Sequence, residues 1–178
     1  MNLKKLKIIT VIGIFILNFP IHFLYDWLPN SLFSLFFPVN ESIWEHMKMI
    51  FTGFIFFAPI DYLLIKKYNI KVNNYILNLF ITAIISIPIY LIMFLPIYNA
   101  IGENMPIIFI LMIITITICE IINYYLNKLD NIKYSNLIGT ILIVITYIIM
   151  GYLTYNPPKT ELFYDTHNKK YGINDYDI

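Results

Sequence analysis

Hydrophobic residues in this chain fall in long unbroken runs, not in the alternating or one-faced patterns of a soluble fold. The first run is Ile8 to Tyr25, broken by Asp26, Trp27 and Pro29. The second starts near Asn40 and reaches Ile65, where Lys66 and Lys67 stop it. The third covers Tyr75 to Leu95, with Pro88 and Pro96 bending its distal half. The fourth follows Met105 and Pro106 and ends near Leu126, and the fifth runs from Asn136 to Tyr155, with Pro157 and Pro158 beyond it. Each is close to the about 20 apolar residues a helix needs to cross a bilayer. The pattern predicts an all-α, polytopic transmembrane bundle of about five spans. Asn30 to Phe37 is apolar but too short to cross, which makes it an interfacial or re-entrant segment. Residues 1–158 then form one transmembrane domain and 159–178 a polar tail.

Composition supports this class. The chain is 59% hydrophobic and 13% charged, about half the charged share of a soluble domain. A net charge of +1 argues neither for nor against nucleic acid, but no basic block is long enough to track phosphates, so nucleic acid is set aside and the lipid bilayer is the expected partner. Cys119 is the single cysteine and sits in an apolar run, which excludes an intrachain disulfide and a Cys-built zinc site. The chain lacks arginine and is crowded with Ile, Asn, Lys, Tyr and Phe, a bias of AT-rich codons, so its many aromatics say little about ligands. Met1 to Lys7 is basic and leads into an apolar run without a small-residue cleavage site, which reads as a retained first anchor.

Lysines set the orientation. Lys4, Lys5 and Lys7 precede the first span, Lys66, Lys67 and Lys71 lie between the second and third, and Lys128 and Lys133 lie between the fourth and fifth. The alternate loops, 28–39 and 97–105, carry none. The positive-inside rule then gives a multi-pass cell-membrane protein with a cytoplasmic N-terminus and an extracytoplasmic C-terminal tail.

Candidate chemistry gathers where the first outer loop meets its two helices. His22 and Asp26 lie four residues apart at the end of the first span, and Asn40, Glu41, Ser42, Trp44, Glu45, His46 and Lys48 open the second. On a continuous helix Glu41, Glu45 and Lys48 share a face. His22, Asp26, Glu41, Glu45, His46 and Lys48 are the catalytic candidates. A histidine beside a carboxylate can act as a general base or proton relay. His22, Asp26, Glu45 and His46 are the candidate ligands of a divalent metal such as zinc. Lys48 is too deep for easy exposure, which predicts pairing with Glu45 or Glu41. Ser42 and Glu45 also match a capping box, each side chain bonding the other's backbone N–H. Asn40 is an alternative cap, and Trp44 suits the membrane interface.

Glu120 is the deepest acidic residue of the fourth span, as a proton relay or as a lysine-paired packing group. Asp61 falls near the inner end of the second span, at the interface. Asn40, Trp44, Glu120, Asp165 and Tyr171 are the candidate binding residues; the tail either folds over the outer cluster as a lid, contributing Asp165, or is a loosely ordered terminus. Asp175 and Asp177, beside Tyr176, read as solvated.

The stretch Pro38-Val39-Asn40-Glu41-Ser42-Ile43-Trp44-Glu45-His46-Met47-Lys48 resembles the P-V-N-E-S-x-W-E-H-x-K signature of an uncharacterised, domain-of-unknown-function family of small bacterial polytopic membrane proteins. Leu162-Phe163-Tyr164-Asp165 and Tyr171-Gly172-Ile173 are similar to that family's L-F-x-D and Y-G-I ends, with Thr166, Asn168 and Lys169 where a Pro, Thr and Gly turn is expected. The resemblance implies a shared membrane fold and a role for both motifs, and no activity. Three functions fit the residues: a membrane enzyme or ligand site at the outer face, a small proton- or ion-coupled transporter using Glu120, or a non-catalytic assembly subunit.

Overall fold

The computed structural model describes residues 1–173, so Asp175, Tyr176 and Asp177 lie outside the described residues. Six α-helices carry the fold: α1 Leu3–Trp27, α2 Ser31–Phe36, α3 Ile43–Lys67, α4 Tyr75–Ile101, α5 Met105–Leu126 and α6 Ser135–Tyr155. All but α2 are long and apolar enough to cross a membrane. The chain is a multi-pass membrane protein of the all-α class.

Short polar residues start the helices. Asn2, Asn30, Ser42 and Asn104 each accept a backbone N–H from the first turn of α1, α2, α3 and α5, satisfying donors that a helix start leaves open. Asn2 starts α1 well before Ile8, so Lys7 lies inside the helix. The helix of the third run continues through Pro96 to Ile101, beyond the expected end at Leu95. Lost backbone hydrogen bonds at Pro88 and Pro96 do not end it, because prolines are tolerated in spans where neighbours support the freed groups.

Helices α1, α3, α4 and α5 form a closed ring in which each packs on the next, and α6 lies outside it against α4 and α2. The ring is filled by Ile14, Ile21, Met47, Ile50, Phe51, Phe54, Phe57, Ala83, Tyr90, Phe94, Met112 and Ile116. The outer faces of the spans expose aliphatics such as Ile92, Ile121, Ile141 and Ile148, as contact with lipid requires. The lysine-bearing loops are stitched to each other. Asn73 donates to Leu129 O at 2.8 Å, and Asn74 donates to Asp130 O at 2.9 Å and accepts from Ile132 N–H at 2.8 Å.

The opposite face carries α2 and the tail. Asn30 to Phe37, expected at the interface or re-entrant, is a docked helix: Ser34 is buried and its hydroxyl lies 2.9 Å from that of Tyr155 at the end of α6. After α6 the chain makes a single 3-10 turn, Glu161–Phe163, and a short antiparallel hairpin of β1 Tyr164–Asp165 and β2 Lys170–Tyr171. The described part of the tail, residues 159–173, is therefore folded.

Gly139 is where α6 meets the start of α4. A Cβ there would fall 2.6 Å from the backbone of Ile76 and Leu77. Backbone cannot turn aside as a side chain can, so Gly139→Val should destabilise the bundle by about 1–3 kcal/mol. A lowered thermal midpoint of the detergent-purified protein is the expected result.

Candidate polar site at one membrane face

The turn before α3 is the scaffold of the site. Asn40 Oδ1 accepts Ser42 N–H at 2.9 Å, and Ser42 Oγ accepts Glu45 N–H at 3.3 Å. The reciprocal half of the capping box is absent: Ser42 N–H is already taken by Asn40, and Glu45 accepts from Val39 N–H at 3.2 Å instead. Glu41 therefore precedes the cap and is not on the helix. The expected shared face of Glu41, Glu45 and Lys48 does not form, and the polar residues divide into two groups.

The first group is sealed. Lys48, fully buried, has three protons and three acceptors: Ser34 O at 2.9 Å, Thr154 Oγ1 at 2.9 Å and the Glu45 carboxylate in direct contact. Thr154 donates to Glu45 Oε1 at 2.9 Å. Of the two partners anticipated for Lys48, the structure supplies Glu45.

The second group lies beside a cavity that His22 and Glu41 line, with His46 behind them. Glu41 Oε2 lies 3.6 Å from His22 Nε2 and 3.5 Å from His46 Nε2, and the two imidazole rings are 5.2 Å apart. His46 Nδ1–H donates to Ser42 O at 2.9 Å, because a carbonyl only accepts. His22 Nδ1 is buried with no hydrogen-bond partner. The cavity, about 560 Å³, is walled by His22, Tyr25, Asp26, Asn40, Glu41 and Tyr155, among others. His22, Glu41 and His46 offer one ligand atom each within 4.8 Å of one another. This differs from the anticipated metal set: Glu45 is engaged by Val39, Thr154 and Lys48, and Asp26 stands on the cavity wall outside the trio.

The tail closes over this turn. Asp165 is buried and accepts from Glu41 N–H at 3.2 Å, His167 N–H at 2.9 Å, Asn168 N–H at 3.0 Å and Asn168 Nδ2 at 2.9 Å. Burial pushes its carboxyl up, but the donors of Asn168, Glu41 and His167 outweigh that and hold it below the usual range. Asn40 Nδ2 donates to Gly172 O at 3.3 Å. Gly172 sits at φ +60 where a Cβ would meet Thr154 O at 2.5 Å, so only glycine fits. Trp44 packs on Phe163 with ring centroids 5.0 Å apart, under the tail and not in a lipid-facing belt. Tyr171 pairs with Tyr164 across the hairpin, and Lys159 lies over its ring. Asn168 and Ile173 complete the cavity wall.

Glu120 lies at the other end of the ring. Lys7 Nζ is 3.1 Å from Glu120 Oε2 and 3.8 Å from Asp61 Oδ2, and Thr10 Oγ1 donates to Asp61 Oδ1 at 2.6 Å. Asp61, expected at the interface, is buried, with Thr10 and Lys7 as its partners. Buried Ile14, Phe54 and Phe57 lie between this group and the His22 group, and Asn18, against Gly53, is the polar side chain on that stretch of α1. Thr154, Ser34, Tyr155 and Lys7 were not marked as site residues by the sequence, since a lone polar residue at the end of an apolar run has no distinguishing pattern.

Fold and site together define a polytopic membrane bundle with an ion-pair lock and an imidazole–carboxylate cavity at one face. The chain belongs to a family of unknown function (DUF6512), whose model matches residues 1–173. No curated protein and no solved structure matches the chain.

Replacing Lys48 by Met strands the Glu45 carboxylate inside the protein, which should destabilise by about 3–5 kcal/mol. The double variant Glu45→Gln/Lys48→Met should recover part of that loss of thermal midpoint. The tail offers a pH test. His167 Nε2 is 3.1 Å from Glu103 Oε2, and that hydrogen bond raises the imidazole above its ordinary value. A raised folded value means the contact contributes fully below roughly pH 6.5 and is lost as pH climbs through the raised value. Proteolysis of the tail should therefore quicken from mildly acidic to alkaline pH, and Glu103→Gln should flatten that dependence.

Proposed function

We propose that this protein is a membrane-embedded enzyme or ligand-processing protein whose working cavity opens at the extracytoplasmic face. His22, Asp26, Glu41 and His46 are its reactive groups, and a polar small molecule or the polar end of a larger substrate is its ligand. The observation that carries this reading is the cavity of about 560 Å³ with His22, Asp26 and Glu41 on its wall, within the size range of small-molecule sites. His46 turns its Nε2 toward Glu41 at 3.5 Å, and an imidazole beside a carboxylate is a general acid–base arrangement. The extracytoplasmic assignment rests on lysines. Lys66, Lys67, Lys71, Lys128 and Lys133 lie in or beside the loops at the far end of the bundle from the cavity. Asn40 and Asn168 line the cavity, Asp165 holds the Glu41 backbone beside it, and Trp44 anchors the tail. Glu45 and Lys48 position the turn and do not touch the ligand.

Ion-coupled transport has less support, because Ile14, Phe54 and Phe57 pack between the cavity and the Lys7–Glu120 group. An assembly role would need a partner surface, and the Glu45–Lys48 pair is turned inward.

Two measurements test the proposal. Asn168→Cys should react with a membrane-impermeant maleimide on intact cells, and Asp130→Cys only after lysis; Cys119 is buried and serves as the silent background. The reverse labelling pattern would overturn the face assignment. Native mass spectrometry of protein drawn from its own membranes should show a small molecule that Glu41→Gln and Asp26→Asn lose without a change in thermal midpoint. Equal occupancy in these variants and the wild type would rule the cavity out as the site.

A further inference from the structure

Taking the cavity as the working site, we infer that His22, Glu41 and His46 bind a divalent transition metal of the zinc type, with the remaining coordination position open to the cavity. The first ground is convergence. His46 Nδ1 lies 2.9 Å from Ser42 O, which leaves its Nε2 turned to Glu41 Oε2 at 3.5 Å. His22 Nε2 approaches the same oxygen at 3.6 Å. One carboxylate oxygen with an imidazole nitrogen on either side is an arrangement that suits a cation.

Distance is the second ground. Ligands bound to zinc at about 2.0–2.2 Å in a tetrahedron stand about 3.3–3.6 Å from each other. Both contacts to Glu41 already have that length, and the whole trio fits within 4.8 Å. The remaining adjustment falls to the His22 ring, whose Nδ1 is tied to nothing that would resist a turn. His46, in contrast, is oriented by its bond to the Ser42 carbonyl, the usual support of a metal-bound imidazole.

Charge is the third ground. The cavity wall carries Asp26 and Glu41 and no lysine. Lys48, the cation nearest in sequence, is consumed by Glu45. Two nitrogens and one oxygen select zinc or a similar transition metal over magnesium or calcium, which prefer all-oxygen shells. Three protein ligands with a vacant fourth position match catalytic rather than structural zinc sites. Such an ion would polarise a water in the cavity, and Asp26, one turn beyond His22, stands on the same wall to accept its proton.

The test begins with detergent-purified full-length protein stripped by a chelator and titrated with zinc alone. About one zinc per chain should bind, measured by elemental analysis after desalting. His46→Ala and Glu41→Gln should each weaken binding by at least about 100-fold, since losing even an outer support of a ligand costs about 10–100-fold. His167→Ala, the remaining histidine of the chain, should bind like the wild type. Cobalt titration gives a readout that folding defects do not mimic: the wild type should develop the visible absorption of a four-coordinate site, discharged by zinc. Folded wild type that binds well under one zinc per chain, or His46→Ala that binds as tightly as wild type, overturns the metal. The arms separate the two proposals. Absent zinc binding with Asn168→Cys still reactive and the small molecule still present would remove the metal and keep the site. Zinc bound at an unreactive, ligand-free cavity would keep the metal and remove the proposed function.

Discussion

The ion pair of Glu45 and Lys48, closed by Thr154, is the constraint on which this end of the molecule depends. A lysine and a glutamate held inside a membrane protein cost several kcal/mol unless every proton and lone pair is met. Here they are met by groups from four places: the Ser34 carbonyl of α2, the Val39 amide of the turn, the Thr154 hydroxyl of α6 and the pair itself on α3. Each contributor is thereby pinned in position. The docking of α2, the path of residues 38–42 and the position of α6 follow from satisfying one buried charge pair.

That lock determines what is left for chemistry. With Glu45 engaged, Glu41 is the carboxylate of this turn free to meet His22 and His46. Its backbone is held from the other side by Asp165 of the tail. A carboxylate positioned through its main chain, with its side chain turned to two imidazoles at a cavity wall, is preorganised in a way that a surface glutamate is not. The charged residues at this face therefore divide into a buried support and a more accessible cluster.

The other end of the ring repeats the logic with different parts. Lys7 reaches inward to Asp61 and Glu120, with Thr10 on Asp61. The middle of the bundle is mainly apolar, filled by Ile14, Phe54, Phe57 and Ile116, with Asn18 a buried polar side chain there. Charge is thus confined to two nodes, each near an end of the spans, where pairing is least costly. The aromatic and aliphatic filling between them keeps the nodes independent.

Much of the fold was legible along the chain because bilayer thickness imposes run length directly: the five apolar runs became the five long helices with modest shifts at their ends. The deviations have local causes, an Asn2 cap that starts α1 early and neighbour support that carries α4 through Pro96. Positioning His22 near the opening of α3 also followed from the shared short loop. What no run length or helical spacing could decide was the partner of each charge. Glu41 and Glu45 are four residues apart, yet Asn40 occupies the Ser42 amide and leaves Glu41 outside the helix, so the periodicity that would align them does not apply. Thr154 and Asp165 reach the turn from more than 100 residues away. Lys7 was read as a flanking charge because its partners lie on α3 and α5. Hydrophobic run length is a property of neighbours along the chain, and it determined the spans. Pairing of buried charges is a property of neighbours in space, and only the packed bundle could settle it.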